Sequence, residues 1–178
     1  MSDINWRSYY GDKPDTALFF NPIDPENYDD IMKFSNCTNV VVDNKTIIPG
    51  RENCVDAVRG SNYLWNLCHM ISGAGAATMT IKGAIDGWTL RSCYIGEAKS
   101  RTDMEIGQFD NYWHPGRKPT RNGLIEDCES FTLAPIRVVV WDSEIPKIVN
   151  SNVRIFKIPA IVWFPYFTLR WIMVKLGL

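Results

Sequence analysis

The stretch VRGSNYLWNLCHMISGAGAATMTIKGAIDGWTLRSC, residues 58–93, carries one short pattern twice. Val58 and Gly60 precede Trp65, Leu67 and Cys68; Ile81 and Gly83 precede Trp88, Leu90 and Cys93. Met104, Ile106 and Gly107, ahead of Trp113, open a third copy. The steps are 23 and 24 residues between the three glycines, and 23 and 25 between the three tryptophans. A period in the low twenties marks a coil stacked on copies of itself, since one such coil cannot bury its apolar face alone. Leu67 and Leu90 share parity with Trp65 and Trp88, so all four are expected to point into the core. Arg59 and Lys82 fall on the opposite parity and are expected on the outer face.

Working outward, short apolar runs of period two continue on both sides, punctuated by Gly, Asn and Asp. They include Asn39–Val42, Cys54–Val58, Met79–Ile81, Met104–Ile106, Leu124–Ile125, Arg137–Val140 and Val153–Ile155. Runs of this length and alternation read as strands, and nothing between them is long enough for a helix. The expected fold is all-β, a solenoid of parallel strands with about five or six coils. Residues 1–30, broken by Pro14, Pro22 and Pro25, read as an irregular N-terminal cap. Residues 31–157 form the core, and 158–178 an apolar C-terminal cap or docking arm. Tyr112–Asn122, with Pro115, Gly116 and Pro119, is too polar for a strand and reads as a loop projecting from one coil.

Three kinds of residue carry a family likeness. Asn-bearing turns lie beside strands at Ser35–Val42 and Ser151–Ile155. An acidic-Cys-Val-Asp stretch, Glu52–Asp56, leads to Arg59 and Gly60. Cys and Ile recur at matched places in Ser92–Ile95 and Asp127–Cys128. In these features residues 31–157 resemble the right-handed parallel β-helix, or pectate-lyase-like, superfamily. The resemblance implies a right-handed coil but no single activity, because β-helices host many functions. In size the chain is similar to small β-helix components of phage particles, whereas enzymes on this scaffold usually cut polysaccharides.

With 178 residues the chain makes one ordinary domain, and 46% hydrophobic against 22% charged residues is a globular balance. A net charge of -1 excludes a general phosphate-backbone binder, and the local basic group Arg117, Lys118 and Arg121 reads as a solvated loop. Five cysteines with no CxxC pair suggest neither a zinc site nor a closed disulfide framework, so synthesis in a reducing cytoplasm is expected. Met1–Tyr10 lacks the apolar segment of a signal peptide. His69 and His114 are far apart and read as structural or surface residues. No phosphate loop or dinucleotide fingerprint is present; the expectation is no cofactor and no metal.

The C-terminus, IPAIVWFPYFTLRWIMVKLGL, is apolar at 15 of 21 positions. Arg170 well inside it costs about 2.5–3.5 kcal/mol in a bilayer, which disfavours spanning. It is expected to cap the last coil, or to dock on a protein partner or a second copy through Trp163, Phe164, Tyr166, Phe167 and Trp171. Contact with a lipid interface is the less favoured alternative. For chemistry, Asp86 and Asp110 are 24 residues apart and expected on neighbouring coils, where stacked carboxylates suit a glycoside hydrolase or polysaccharide lyase. The plainer reading makes both turn residues. Tyr112 and Trp113 are the candidate ligand-binding aromatics. Asp56 with Arg59 reads as an ion pair, and Asp103 and Glu105 as surface charges or a cation site. The functional expectation is a non-enzymatic structural or interaction protein of a larger assembly such as a virion. The alternative is a polysaccharide-binding or polysaccharide-cleaving protein using Asp86 and Asp110.

Overall fold

The computed structural model describes residues 17–20, 30–47, 53–70, 77–96, 102–107, 119–132 and 134–158. Among them the regular structure is all strand: β1 (Ala17–Phe20), β2 (Asp30–Asp43), β3 (Thr46–Ile47), β4 (Asn53–Asn66), β5 (His69–Met70), β6 (Met79–Lys82) and β7 (Asp86–Arg91). There follow β8 (Tyr94–Ile95), β9 (Met104–Ile106), β10 (Arg121–Glu126), β11 (Glu129–Ser130), β12 (Ile136–Trp141), β13 (Lys147–Val149) and β14 (Val153–Ile158).

The strands form three parallel ladders. The first runs through the N-terminal halves of β2 and β4, then β6, β9, β12 and β14. The second runs through the C-terminal halves of β2 and β4, then β7, β10 and β13. The third is β3, β5, β8 and β11. Because β2 and β4 are long and bend from one ladder into the next, the first two join as a single ten-stranded sheet. β1 departs from the pattern: it lies antiparallel on the outer edge of β2, so part of the supposedly irregular N-terminus is a strand that covers an edge.

Register gives the true period. Val42 pairs with Trp65, Trp65 with Leu90 and Leu90 with Ile125, steps of 23, 25 and 35 residues. The third step is ten longer than the second, and it spans the expected loop. That loop ends earlier than its composition suggested, since Arg121 and Asn122 already lie in β10. The tryptophans are out of phase. Trp88 is in register with Tyr63, not with Trp65. On leaving β4, the first ladder steps by 24 (Val55 to Met79) and the second by 25 (Tyr63 to Trp88), so one residue is added at the corner where Gly83 and Ala84 take positive φ.

The corners repeat as regularly as the strands. Asn44, Leu67, Ser92, Asp127 and Asn150 end successive strands of the second ladder, each in the left-handed region with φ between 45° and 53°. The amide of each of the first four donates to the carbonyl that ends the next strand of the ladder, at 2.9–3.1 Å. This corner breaks the alternation of side chains, and it reverses the expectation for Leu67, which is 50% exposed rather than buried. A second left-handed column, Asn39, Asn62, Gly87 and Asn122, kinks the same ladder, with Asn62 donating to Asn39 Oδ1 at 3.0 Å. Asn dominates it because its short polar side chain tolerates this region best after Gly.

Inside, Trp65, Leu90, Ile125, Tyr63 and Trp88 are buried as parity requires. Gly123 faces Trp88 across the rung, and a Cβ there would overlap the indole ring. Gly60 takes φ +105° against the Cys37 carbonyl, which a Cβ would also strike. Two carboxylates enter the structure with their cations. Asp56 pairs with Lys33 at 2.8 Å and Lys82 at 2.9 Å, instead of with Arg59. Asp103, expected at the surface, is 2% exposed and grips Arg137 through both oxygens at 2.7 and 3.1 Å. Its Oδ2 also accepts from the Arg137 amide at 2.8 Å, so the register of β12 brings the partner that permits burial.

Candidate functional site

The third ladder is made of two-residue strands, each with one side chain in and one out. Ile47, Met70 and Ile95 are fully buried, while Thr46, His69, Tyr94 and Glu129 form the outward column. The left-handed corner two residues before each strand fixes this orientation on every rung. Phe131 follows β11 and is held to it by donating its amide to Ile95 O at 3.3 Å. Beyond it the backbone is shaped by hydroxyls: the Thr132 amide donates to Ser130 Oγ and the Ala134 amide to Thr132 Oγ1, both at 3.2 Å.

These residues make an aromatic platform. The His69 and Tyr94 rings meet edge to face with centroids 5.0 Å apart, and His69 meets Phe131 the same way at 6.1 Å. Tyr94 and Phe131 are tilted by 39° at 5.9 Å. Tyr94 is 39% and Phe131 51% exposed, so large apolar ring area faces solvent. Around them lies a shallow cleft of about 420 Å³, completed by Glu129, Ser130 and Thr132. The lining is apolar with a few polar groups, and the cleft is open to solvent, unlike the enclosing pockets that bury most of a small ligand. Comparison with known proteins gives no match to any family model, curated protein or solved structure.

Of the site residues singled out by sequence, Asp86 is described and falls elsewhere. Asp86 stands on β7, on the second ladder, and its rung neighbour on β10 is Arg121, not a second carboxylate. Arg121 Nη2 lies 2.6 Å from Asp86 Oδ2, and Asn122 Nδ2 donates to Asp86 Oδ1 at 2.7 Å. Asp110, Tyr112 and Trp113 lie outside the described residues, as do Trp163, Phe164, Tyr166, Phe167 and Trp171. Among the described residues no three metal-ligating side chains converge, and no helix is long and apolar enough to cross a membrane.

His69, Tyr94, Glu129 and Phe131 were missed because the third ladder is too short to show alternation. A signal existed nonetheless. Cys68, Cys93 and Cys128 are spaced by 25 and 35 residues, the true steps of this region, and the residue after each is His69, Tyr94 or Glu129. Aligning the coils on cysteine instead of tryptophan yields the column directly.

Proposed function

We propose that the chain is a short right-handed parallel β-helix acting as a non-catalytic interaction module, and that its third ladder binds a saccharide. The coil is supported by three parallel ladders visited in the same order along the chain, and its hand by the rule that parallel connections are right-handed in about 98% of cases. The observation that carries the ligand class is the exposed His69–Tyr94–Phe131 platform beside Glu129, Ser130 and Thr132. The C–H face of a sugar ring packs on exposed aromatic faces, and its hydroxyls are matched by a carboxylate and two side-chain hydroxyls.

A binding role rather than catalysis is supported by four carboxylates outside the cleft. Asp86, Asp103 and Glu126 are each held by an arginine at 2.6–2.7 Å, and Asp56 by two lysines. Among the described residues Glu129 is the only carboxylate that lines the cleft, whereas glycoside hydrolysis uses two. Attachment to the larger assembly is assigned in this reading to the apolar segment 158–178.

Titration of the full-length chain with a panel of neutral, amino and acidic oligosaccharides tests the reading. At least one class should bind, and Phe131→Ala should weaken it by roughly tenfold or more, equivalent to about 1.4 kcal/mol. Saccharide binding that survives both Phe131→Ala and Tyr94→Ala, or no binding across the panel, would remove the proposal.

A further inference from the structure

The residue after the left-handed corners at Leu67, Ser92 and Asp127 points inward, and in these three consecutive coils it is cysteine: Cys68, Cys93 and Cys128. Tyr94 N donates to Cys68 O at 2.9 Å and Glu129 N to Cys93 O at 3.0 Å, which places the three on adjacent rungs. Rungs of a sheet are about 4.8 Å apart. Each thiol turns back onto backbone: Cys68 Sγ lies 3.4 Å from Val42 O, Cys93 Sγ 3.4 Å from Trp65 O, and Cys128 Sγ 3.3 Å from Glu126 O. Ser151 continues the column, its hydroxyl accepting from the Cys128 amide at 2.9 Å. All three are fully buried, and all five cysteines of the chain are free thiols.

Burial does not separate this column from Cys37 and Cys54, which are buried as well. Neighbours do. Cys37 sits opposite Gly60, and Cys54 donates its amide to Thr78 O, so neither has a cysteine on the next rung. Cys93 has one on each side.

We propose that the column is a coil-to-coil thiol clamp, in which peroxide oxidation joins Cys93 to either Cys68 or Cys128. The thiolate of Cys68 or Cys128 attacks hydrogen peroxide, giving a sulfenic acid and releasing hydroxide, which takes up the proton the thiol lost. The Cys93 sulfur then displaces that oxygen, which leaves as water with the Cys93 proton, and the disulfide forms. One peroxide is reduced, two thiols are oxidised and two waters are produced. Hydrogen bonding to Cys93 lowers the Cys68 and Cys128 thiols, whereas the same contacts, with Cys128 foremost, push Cys93 up. Cys93, with a cysteine on the rung to either side, is the sulfur common to both bonds and so the one placed to resolve a sulfenic acid on either neighbour. A rung spacing of about 4.8 Å falls within the 4.4–6.8 Å Cα separation that a disulfide spans. Because Cys93 is shared, each molecule forms one bond and keeps one thiol of the column.

Hydrogen peroxide treatment of the native full-length chain, followed by alkylation and peptide mapping, tests this. Cys68–Cys93 and Cys93–Cys128 cross-links should appear in separate molecules, with Cys37 and Cys54 recovered alkylated and a raised thermal midpoint that dithiothreitol reverses. Cys68→Ala should leave only the Cys93–Cys128 bond. Cys93→Ser should give no disulfide, with sulfenic acid at Cys68 or Cys128 trapped by dimedone. Bonds that involve Cys37 or Cys54, bonds only between chains, or oxidation past sulfenic acid without a disulfide in the parent chain would overturn the clamp. Cys68→Ala keeps the test decisive if Cys93→Ser fails to fold.

Discussion

The molecule holds two aromatic clusters of similar ring geometry and opposite consequence. Phe34, Tyr63 and Trp65 meet inside the core, with centroids 5.4–5.9 Å apart. His69, Tyr94 and Phe131 meet outside it at 5.0–6.1 Å. Distance and angle do not tell a core from a site. Parity does, and so does the fate of the polar tip. The Tyr63 hydroxyl is spent on the fold, donating to Arg59 O at 2.7 Å and accepting from the Cys37 amide at 3.3 Å. The outer rings instead stand beside Glu129, Ser130 and Thr132, which line a cleft open to solvent. Burying a ring removes some 150–250 Å² from water, so the inner cluster stabilises the fold, whereas the outer cluster leaves part of that area exposed, the part that the proposed reading gives to a ligand.

The comparison breaks most visibly at Trp65. Trp65→Ala should cost about 3–5 kcal/mol in denaturant unfolding, the range for emptying a buried aromatic site. Gly123→Ala should be comparably damaging, since its Cβ would meet the Trp88 ring, itself packed in the core. A loss below about 1 kcal/mol in both, the level of an ordinary substitution, would show that the inner cluster is not the core.

Tyr63→Phe is the next step down. It leaves the ring in place and deletes two hydrogen bonds, so about 1–2 kcal/mol is expected. It also carries a pH signature. Burial pushes the Tyr63 phenol above its ordinary value, so the folded state holds the proton after the unfolded chain has lost it. That contribution is fully present below pH of about 10 and is lost as pH rises beyond it. The gap in stability between the parent chain and Tyr63→Phe should therefore narrow from pH 9 to 11. A gap that stays constant or widens would mean that Tyr63 ionises as readily when folded.

What could be read in advance follows the same division. The period and the inward side of the second ladder were legible, because long strands repeat an apolar alternation that solvent exclusion demands. Phase was not, because two residues are added, one before Met79 and one beside Gly83 and Ala84, and together they shift Trp88 from Trp65 to Tyr63. Leu67 was misread because a left-handed corner resets parity, and hydrophobicity alone does not reveal the corner. Asp103 was misread because burying a charge depends on its partner. That partner, Arg137, lies 34 residues away across an insertion of unknown phase. The outer platform was hidden for a third reason: its strands have two residues each, and no period fits into two.

Tyr94→Ala sharpens the contrast, with a much smaller effect on stability than Trp65→Ala. One side of the ring already faces water, and unfolding free energy should move by less than about 1 kcal/mol. Saccharide binding should nonetheless be lost. A large stability loss with binding retained would exchange the roles of the two clusters.

The smallest expected effect is at Asp86. Asp86→Asn removes the charge facing Arg121, but both side chains are about two-fifths exposed, and water and salt screen such a pair. The amide can still accept from Asn122, whose own left-handed conformation is part of the repeating Asn column. Neither the thermal midpoint nor saccharide affinity should change measurably, in low or high salt. The experiment has weight because Asp86 stands on the outward side of a different ladder. If Asp86→Asn abolishes binding while Tyr94→Ala leaves it intact, the ligand lies on the second ladder, and the exposed rings of the third have no part in its recognition.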